Sequence, residues 1–423
     1  MIRLLVLSYH YEPYNSMATH RAVAYAKHLP EYGVHPVVVT HAWNNHQQGE
    51  AHWHIQQGGP LEVEHHPDHT VVRLPLPAGT MPHTGGYVRT LKALCKGQFD
   101  LGGYLPASRQ VYRDFLQSNH PELDQLDGVL SIFNPHHHLE LGAQFAQSRA
   151  VPFCADLRDL WGADAGTERL YSGWKHRLRE WLVKRYWKKW LTQAHLVSTV
   201  TPTWGHTLAH FLGTPVTTVR NGIEAGAFEH ADQVVPNTFT LAYVGSLYAE
   251  QDLAPLAKAL AALPKHYKWQ FQWIGAPHAC AIEQLRTQLS AYGLDKERIQ
   301  GKTRTSRSEA LGWMRGAQIL VYPAWPNQPG VIGGKVYEYL ASGTPVVITA
   351  PNRQQDVVEL ASSVTSAAVF TTEDGVALTE WLRSKHNDWA ANPTAQRDLN
   401  TAPFERSTQV AVWAAAFFEK QKG

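Results

Sequence analysis

The stretch PGVIGGKVYEYLASGTPVVITA, residues 329–350, reads as a loop, a short helix and a buried strand in immediate succession. Gly333 and Gly334 open a helical run from Lys335 to Ser342. Gly343 and Pro345 close it, and Val346 to Thr349 is apolar and β-branched enough to be strand. A helix that starts on glycines offers free backbone N–H groups and the positive end of its dipole, with room for an anion to come close. The same loop also serves as a plain turn, because glycine-rich links between strands and helices occur in any α/β protein. The rest of the chain decides between the two.

At 423 residues the chain exceeds what one hydrophobic core usually fills, so two domains of roughly 200 residues each are expected. Lys+Arg 38 against Asp+Glu 36 leaves no basic excess, which argues against nucleic acid as a partner. Cys95, Cys154 and Cys280 lack any paired or CxxC spacing, so neither a disulfide framework nor a thiolate metal site is expected, and a reducing cytoplasm fits. The opening MIRLLVLSYHYEPYN has too short an apolar core for a signal peptide and reads as a strand. No run approaches the ~18 apolar residues of a membrane span. The 24 histidines do not fall into HExxH or similar ligand spacings and read as mostly solvated.

Apolar, β-branched runs alternate with amphipathic segments twice over. IRLLVLSY, HPVVVTHA, TVVRLPL, DGVLSIF, VPFCADL, AHLVSTVT and TPVTTVR fill the first half, and FTLAYVGSL, WQFQWIG, ERIQG, AQILVYP, TPVVITA and AAVFTT the second. This is the pattern of parallel sheets covered by helices on both faces. The expected fold is α/β, with two doubly wound Rossmann-like domains facing each other across a cleft. The first spans residues 1–222 and the second 237–403, with a helix at 404–423 packing back on the first. Ligands of such sheets bind beyond the carboxyl ends of the strands.

The residues also carry a family resemblance. VLSYHYEPYNSMATHRAVAYAKHLPEYGVHPVVVT near the start, DLRDLW at 156–161, VRNGIEAGAF at 219–228, YVGSL at 243–247 and KVYEYLASGTPVV at 335–347 occur in the order seen in glycosyltransferase family 4. The resemblance implies the glycosyltransferase-B (GT-B) fold. It further implies a nucleotide sugar held mainly by the second domain, an acceptor held mainly by the first, retention of anomeric configuration, and no metal or other cofactor. By the same resemblance Glu338 matches the second of two motif glutamates and would accept hydrogen bonds from ribose hydroxyls. The first glutamate position falls on Gly330, and the Arg and Lys that many members place on the leaving diphosphate fall on Ser246 and Gln251. The expected donor-binding set is Gly245, Ser246, Gly333, Gly334, Lys335 and Glu338, with the Gly333 N–H facing the diphosphate. A metal-free transfer still needs positive charge on the departing diphosphate. Lys335, one turn before Glu338, is the first replacement, with Arg304 and Arg307 behind it or simply solvated.

In the first domain, SIFNPHHHLELG places His136, His137 and His138 in a strand-end loop, where family members often have a sugar-contacting histidine. His138 is the closest positional match and is a catalytic candidate with Lys335. Asn15, Arg21, Asp156, Arg158 and Asp159 are candidates for the acceptor or the cleft, with structural pairing as the alternative. The segment WKHRLREWLVKRYWKKWL, residues 174–191, sets seven cations against Glu180, with Trp174, Leu178, Trp181, Leu182, Tyr186 and Trp190 at helical spacing. The apolar stripe is expected to pack inward and the charges to face solvent or an anionic membrane surface.

The expectation is therefore a retaining glycosyltransferase moving a sugar from a nucleotide-sugar donor to a saccharide or lipid-linked acceptor in the synthesis of cell-surface polysaccharide or glycoconjugate. It would be cytoplasmic, or peripheral on the inner face of the cell membrane. A catalytically silent homologue, favoured by Gly330, Ser246 and Gln251, and a nucleotide-sugar 2-epimerase are the alternatives. A nicotinamide oxidoreductase is disfavoured, since neither half opens with GxGxxG after its first strand.

Overall fold

Near-continuous apolar runs, buried on both faces, form two separate sheets whose strands are parallel except at one edge. The computed structural model describes residues 1–14, 17–43, 60–75, 106–161, 174–232, 234–326, 328–353, 355–393 and 397–421. The chain divides into a first unit of Met1–Arg220 with Gln409–Gly423 and a second of Asn221–Thr408.

The first unit holds eight strands in the order β3 (Glu62–His65), β4 (Thr70–Leu74), β2 (Val34–His41), β1 (Ile2–Leu7), β5 (Gly128–Phe133), β6 (Phe153–Leu157), β7 (Leu196–Thr199) and β8 (Thr217–Thr218). Alternation along β1 divides the core. Leu5 and Leu7 pack on one face with Val37, Phe133, Val183 and Trp187, whereas Leu4 and Val6 pack on the other with Tyr25, Trp413 and Phe417. Those last two belong to the helix Arg406–Gln421, whose Trp413 meets Tyr25 edge to face with ring centroids 5.5 Å apart. The edge strand β3 was not expected. Its sequence EVEH is mostly charged and partly exposed, and it pairs antiparallel with β4.

The second unit holds β11 (Ile299–Thr303), β10 (Trp269–Ala276), β9 (Phe239–Val244), β12 (Ile319–Pro323), β13 (Val346–Ala350) and β14 (Ala367–Thr371), in that order and all parallel. The chain runs outward from β9 to one side through β10 and β11, then returns to β12 on the other. That reversal makes the carboxyl ends of β9 and β12 the topological switch point, where open sheets of this kind take ligands. Among the described residues no helix is long and apolar enough to cross a membrane.

Candidate functional site

Beyond β9 the chain turns at Gly245, whose φ of +134° is open to glycine. The turn is crowded: a Cβ there would stand 3.3 Å from Cε and 3.4 Å from Cγ of Lys335, so the lysine stem lies across the glycine. Gly275, at the end of β10 with φ +95°, backs onto Gly245, and Trp273 Nε1 donates to the Gly245 carbonyl at 2.8 Å. The helix Lys335–Ala341 is fixed to both central strands by tyrosines. Tyr339 Oη accepts from Val244 N (2.6 Å) and donates to Val244 O (3.1 Å), while Tyr322 Oη accepts from Gly333 N at 2.9 Å. Burial pushes the Tyr322 phenol up to about 12, offset in part by the Gly333 N–H.

This geometry corrects one expectation. The Gly333 N–H does not face an incoming anion, because it is spent on Tyr322. Gly334 is the N-cap residue, in helical conformation. The charged centre of the site is instead made of side chains. Glu338 Oε1 accepts from Arg307 Nη1 at 2.5 Å, and Oε2 lies 3.4 Å from Lys335 Nζ. The Glu338 side chain is only 13% exposed, against 54% for Arg307 and 42% for Lys335. Burial alone would raise its pKa, but the neighbouring Lys335 and Arg307 outweigh burial and hold it below the ordinary value of 4.5. The result is an ionised, largely buried carboxylate between two half-exposed cations. Arg307 sits in the first turn of the helix Arg307–Gly316, after the Ser306 cap, and its reading as plain solvated charge does not hold. Arg304 stays exposed.

The departures from the family motif have local explanations. Gly330 has φ +83°, a backbone state that disfavours a side chain such as glutamate. Gln251 is buried and braces the loop: Nε2 donates to Pro323 O (2.7 Å), and Oε1 accepts from Tyr243 Oη (3.1 Å) and from Tyr248 N (3.2 Å). Ser246 is exposed, with its carbonyl taken by Tyr243 Oη at 2.7 Å.

The first-unit candidates are mostly interior. Arg21 and Asp156 are 6% and 0% exposed and joined by a bidentate ion pair, with Nη2 to Oδ1 at 2.7 Å and Nε to Oδ2. Ser198 Oγ donates to the same carboxylate at 2.6 Å, and Arg21 Nη2 also reaches Val219 O at 3.0 Å. The pair ties the helix Met17–His28 to β6 and has no surface left for an acceptor. His136, His137 and His138 open the helix His136–Arg149 and are 0%, 4% and 0% exposed. His136 Nδ1 accepts from Trp187 Nε1 at 2.9 Å, and His138 stands edge-on to Tyr112 at 4.5 Å. Burial, with the neighbouring His137, holds His138 well below the ordinary imidazole value, so its catalytic assignment is replaced by a core role. Arg158 pairs with its neighbour Asp159 at 2.7 Å in a half-buried position. Asn15 lies outside the described residues.

On the helix Trp174–Leu191 the inward face is Arg179, Val183, Trp187, Trp190 and Leu191. Trp174 and Trp181, expected to point inward, are 60% and 56% exposed and share the outer face with Arg177, Arg185, Lys188 and Lys189. A ring pair after the central strands has no signature in the sequence: Tyr248, 52% exposed, and Trp325 have centroids 4.9 Å apart at 45°. Among the described residues no three His, Cys, Asp or Glu side chains come together as a metal site.

Residues 238–384, which lie within the second unit, match the family model described as Glycosyl transferases group 1. No curated protein matches the chain. Sucrose-phosphate synthase from Thermosynechococcus elongatus superimposes with a TM-score of 0.60 at 15% identity, over 100% of this chain and 98% of that one. A UDP-forming alpha,alpha-trehalose-phosphate synthase from Burkholderia xenovorans gives 0.57 at 15% identity, over 99% of each chain. Anabaena HepE, solved in complex with UDP and glucose, gives 0.57 at 15% identity, over 99% of this chain and 100% of that one. The likeness is one of fold: the two sheets, parallel but for the edge strand β3, and their helices have the GT-B architecture.

Proposed function

We propose that the chain is a retaining glycosyltransferase that takes a UDP-sugar on its second unit and passes the sugar to a saccharide or lipid-linked acceptor in the synthesis of a cell-surface polysaccharide or glycoconjugate. The observation that carries the reading is the Lys335 stem lying across Gly245 at the switch point, with its ammonium 3.4 Å from the Glu338 carboxylate. Together with the group 1 match it gives the two groups such a donor needs. Glu338, kept ionised by its cations, accepts ribose hydroxyls. Lys335 meets the diphosphate, and its charge does what the absent Arg and Lys at Ser246 and Gln251 do elsewhere, with no metal required. Uracil is the base favoured by the UDP in the names of similar folds.

In this reading the C1–O bond to the diphosphate breaks while the acceptor oxygen bonds to C1 on the same face. The leaving diphosphate oxygen takes the acceptor's proton. Charge grows on that oxygen as the bond breaks, so Lys335 stabilises the transition state more than the bound donor. We place the chain in the cytoplasm at the inner face of the cell membrane, with Trp174, Trp181, Arg177, Arg185, Lys188 and Lys189 toward anionic lipid. Exposed tryptophans among cations are the side chains that suit such an interface.

A thermal-unfolding panel of UDP, GDP, ADP and dTDP tests the donor half. A ligand at ~100 times its dissociation constant adds roughly 2.7 kcal/mol, so UDP is expected to raise Tm clearly in the parent and not in Glu338→Ala. A shift by none of the four would overturn nucleotide binding. Binding of UDP without transfer to any acceptor would favour the silent homologue.

A further inference from the structure

Tyr248 and Trp325 stand where a polar loop is the ordinary outcome. Tyr248 lies three residues past Gly245 on the loop leaving β9, and Trp325 two residues past the end of β12, so the rings sit at the ends of the two adjacent central strands. Both backbones are pinned. Gln251 Oε1 accepts from the Tyr248 N–H (3.2 Å), and Gln251 Nε2 holds Pro323 O (2.7 Å), which ties the two loops to each other. Gln355 Nε2 donates to Trp325 O at 3.2 Å. The rings are 4.9 Å apart and tilted by 45°, yet Tyr248 remains 52% exposed. Tyr248 thus turns a braced ring to solvent beside the half-buried Trp325, and the fold gains little from its exposed part.

We propose that Tyr248 and Trp325 form the stacking platform for the ring of the transferred sugar, a pyranose joined to the donor's diphosphate. The inference rests on the nucleotide-sugar reading above. A nucleotide sugar is a linear molecule, running base, ribose, diphosphate, sugar. The residues follow in the same order: Glu338 for the ribose, then Lys335 against it, then Gly245 beneath the lysine stem, then Tyr248 within about 10 Å along the chain. The base lies on the far side of the ribose from this loop. A pyranose presents a face of C–H groups carrying partial positive charge, and an aromatic ring presents the negative face of its quadrupole. Such contacts orient a sugar while leaving its hydroxyls to polar partners.

Calorimetry with UDP and with UDP-glucose, UDP-galactose and UDP-N-acetylglucosamine separates the platform from the nucleotide site. In the parent at least one UDP-sugar is expected to bind more tightly than UDP. Tyr248→Ala and Trp325→Ala are expected to stay folded, to bind UDP as the parent does, and to lose about tenfold in affinity for that sugar nucleotide. Tyr248→Phe, which keeps the ring, is expected to retain it. Unchanged affinity in both alanine variants overturns the platform and leaves the nucleotide site standing. An equal loss for UDP and for the UDP-sugar overturns it in favour of a nucleotide contact. A parent that binds no UDP overturns the nucleotide reading, and the platform with it.

Discussion

Lys335 lies with its aliphatic stem across Gly245, so that a single added Cβ at the glycine would fall 3.3 Å from the lysine Cε. The contact joins the loop after the first strand of the second unit to the helix that carries Glu338, and it sets where the ammonium can go. Gly245→Ala is expected to destabilise the chain by about 1 kcal/mol, because φ of +134° disfavours a side chain. It is also expected to weaken UDP binding by moving the lysine. Urea unfolding and UDP titration of the same variant check both effects; a variant as stable as the parent contradicts the first.

The Arg21–Asp156 pair is assigned to the fold of the first unit. Breaking a buried bidentate pair leaves an uncompensated charge, so Asp156→Asn or Arg21→Ala is expected to cost on the order of 3–5 kcal/mol. UDP affinity of the protein that still folds should stay at the parent's value. Loss of transfer without loss of stability would return the pair to the acceptor site.

Acid should destabilise the first unit through its histidines. His41 and His137 are held down to about 3 from an ordinary 6.5, by burial first, then by His137 on His41 and by Arg109 on His137. The unfolded chain therefore binds more protons between these values, and the stability is complete above 6.5 and lost as pH falls toward 3. Each such histidine adds up to ~1.4 kcal/mol per pH unit to the slope. His41→Asn should show a shallower fall between pH 6.5 and 4.5 than the parent, by urea unfolding at several pH values. Equal slopes would mean that His41 does not titrate in this way.

Binding to anionic vesicles tests the basic helix. Changing Arg185, Lys188 and Lys189 together to Gln should remove most binding at low salt, since each cation near the surface contributes about 1 kcal/mol. Lys184→Gln should do less, because Lys184 is paired with Glu180 at 2.6 Å. Co-sedimentation that the triple variant leaves unchanged, or that the parent never shows, removes the membrane placement.

The architecture was legible because parallel strands buried on both faces must be apolar throughout, as VLSIF in β5 and ILVYP in β12 are. The charged edge strand β3 lacks that signal. Within the site, the approach of Lys335 to Glu338 follows from their spacing of three on one helix. Arg307 does not announce itself, being 31 residues from Glu338 and flanked by ordinary polar loop. Nor does the loss of the Gly333 N–H to Tyr322, since that tyrosine reads as core. The three histidines misled for a physical reason: polarity at a strand end marks a site only if the next helix begins at the surface, and His136–Arg149 begins inside.

Turnover by Lys335→Ala tests whether a lysine at the switch point stabilises the departing diphosphate. Release of UDP is to be followed with the three UDP-sugars and an acceptor extract, beside calorimetric donor affinity. The expected result is UDP release by the parent and a fall in kcat of ~10²-fold or more in the variant, with donor affinity changed far less. Equal kcat in the two proteins, or no release by a parent that binds the donor, would contradict it.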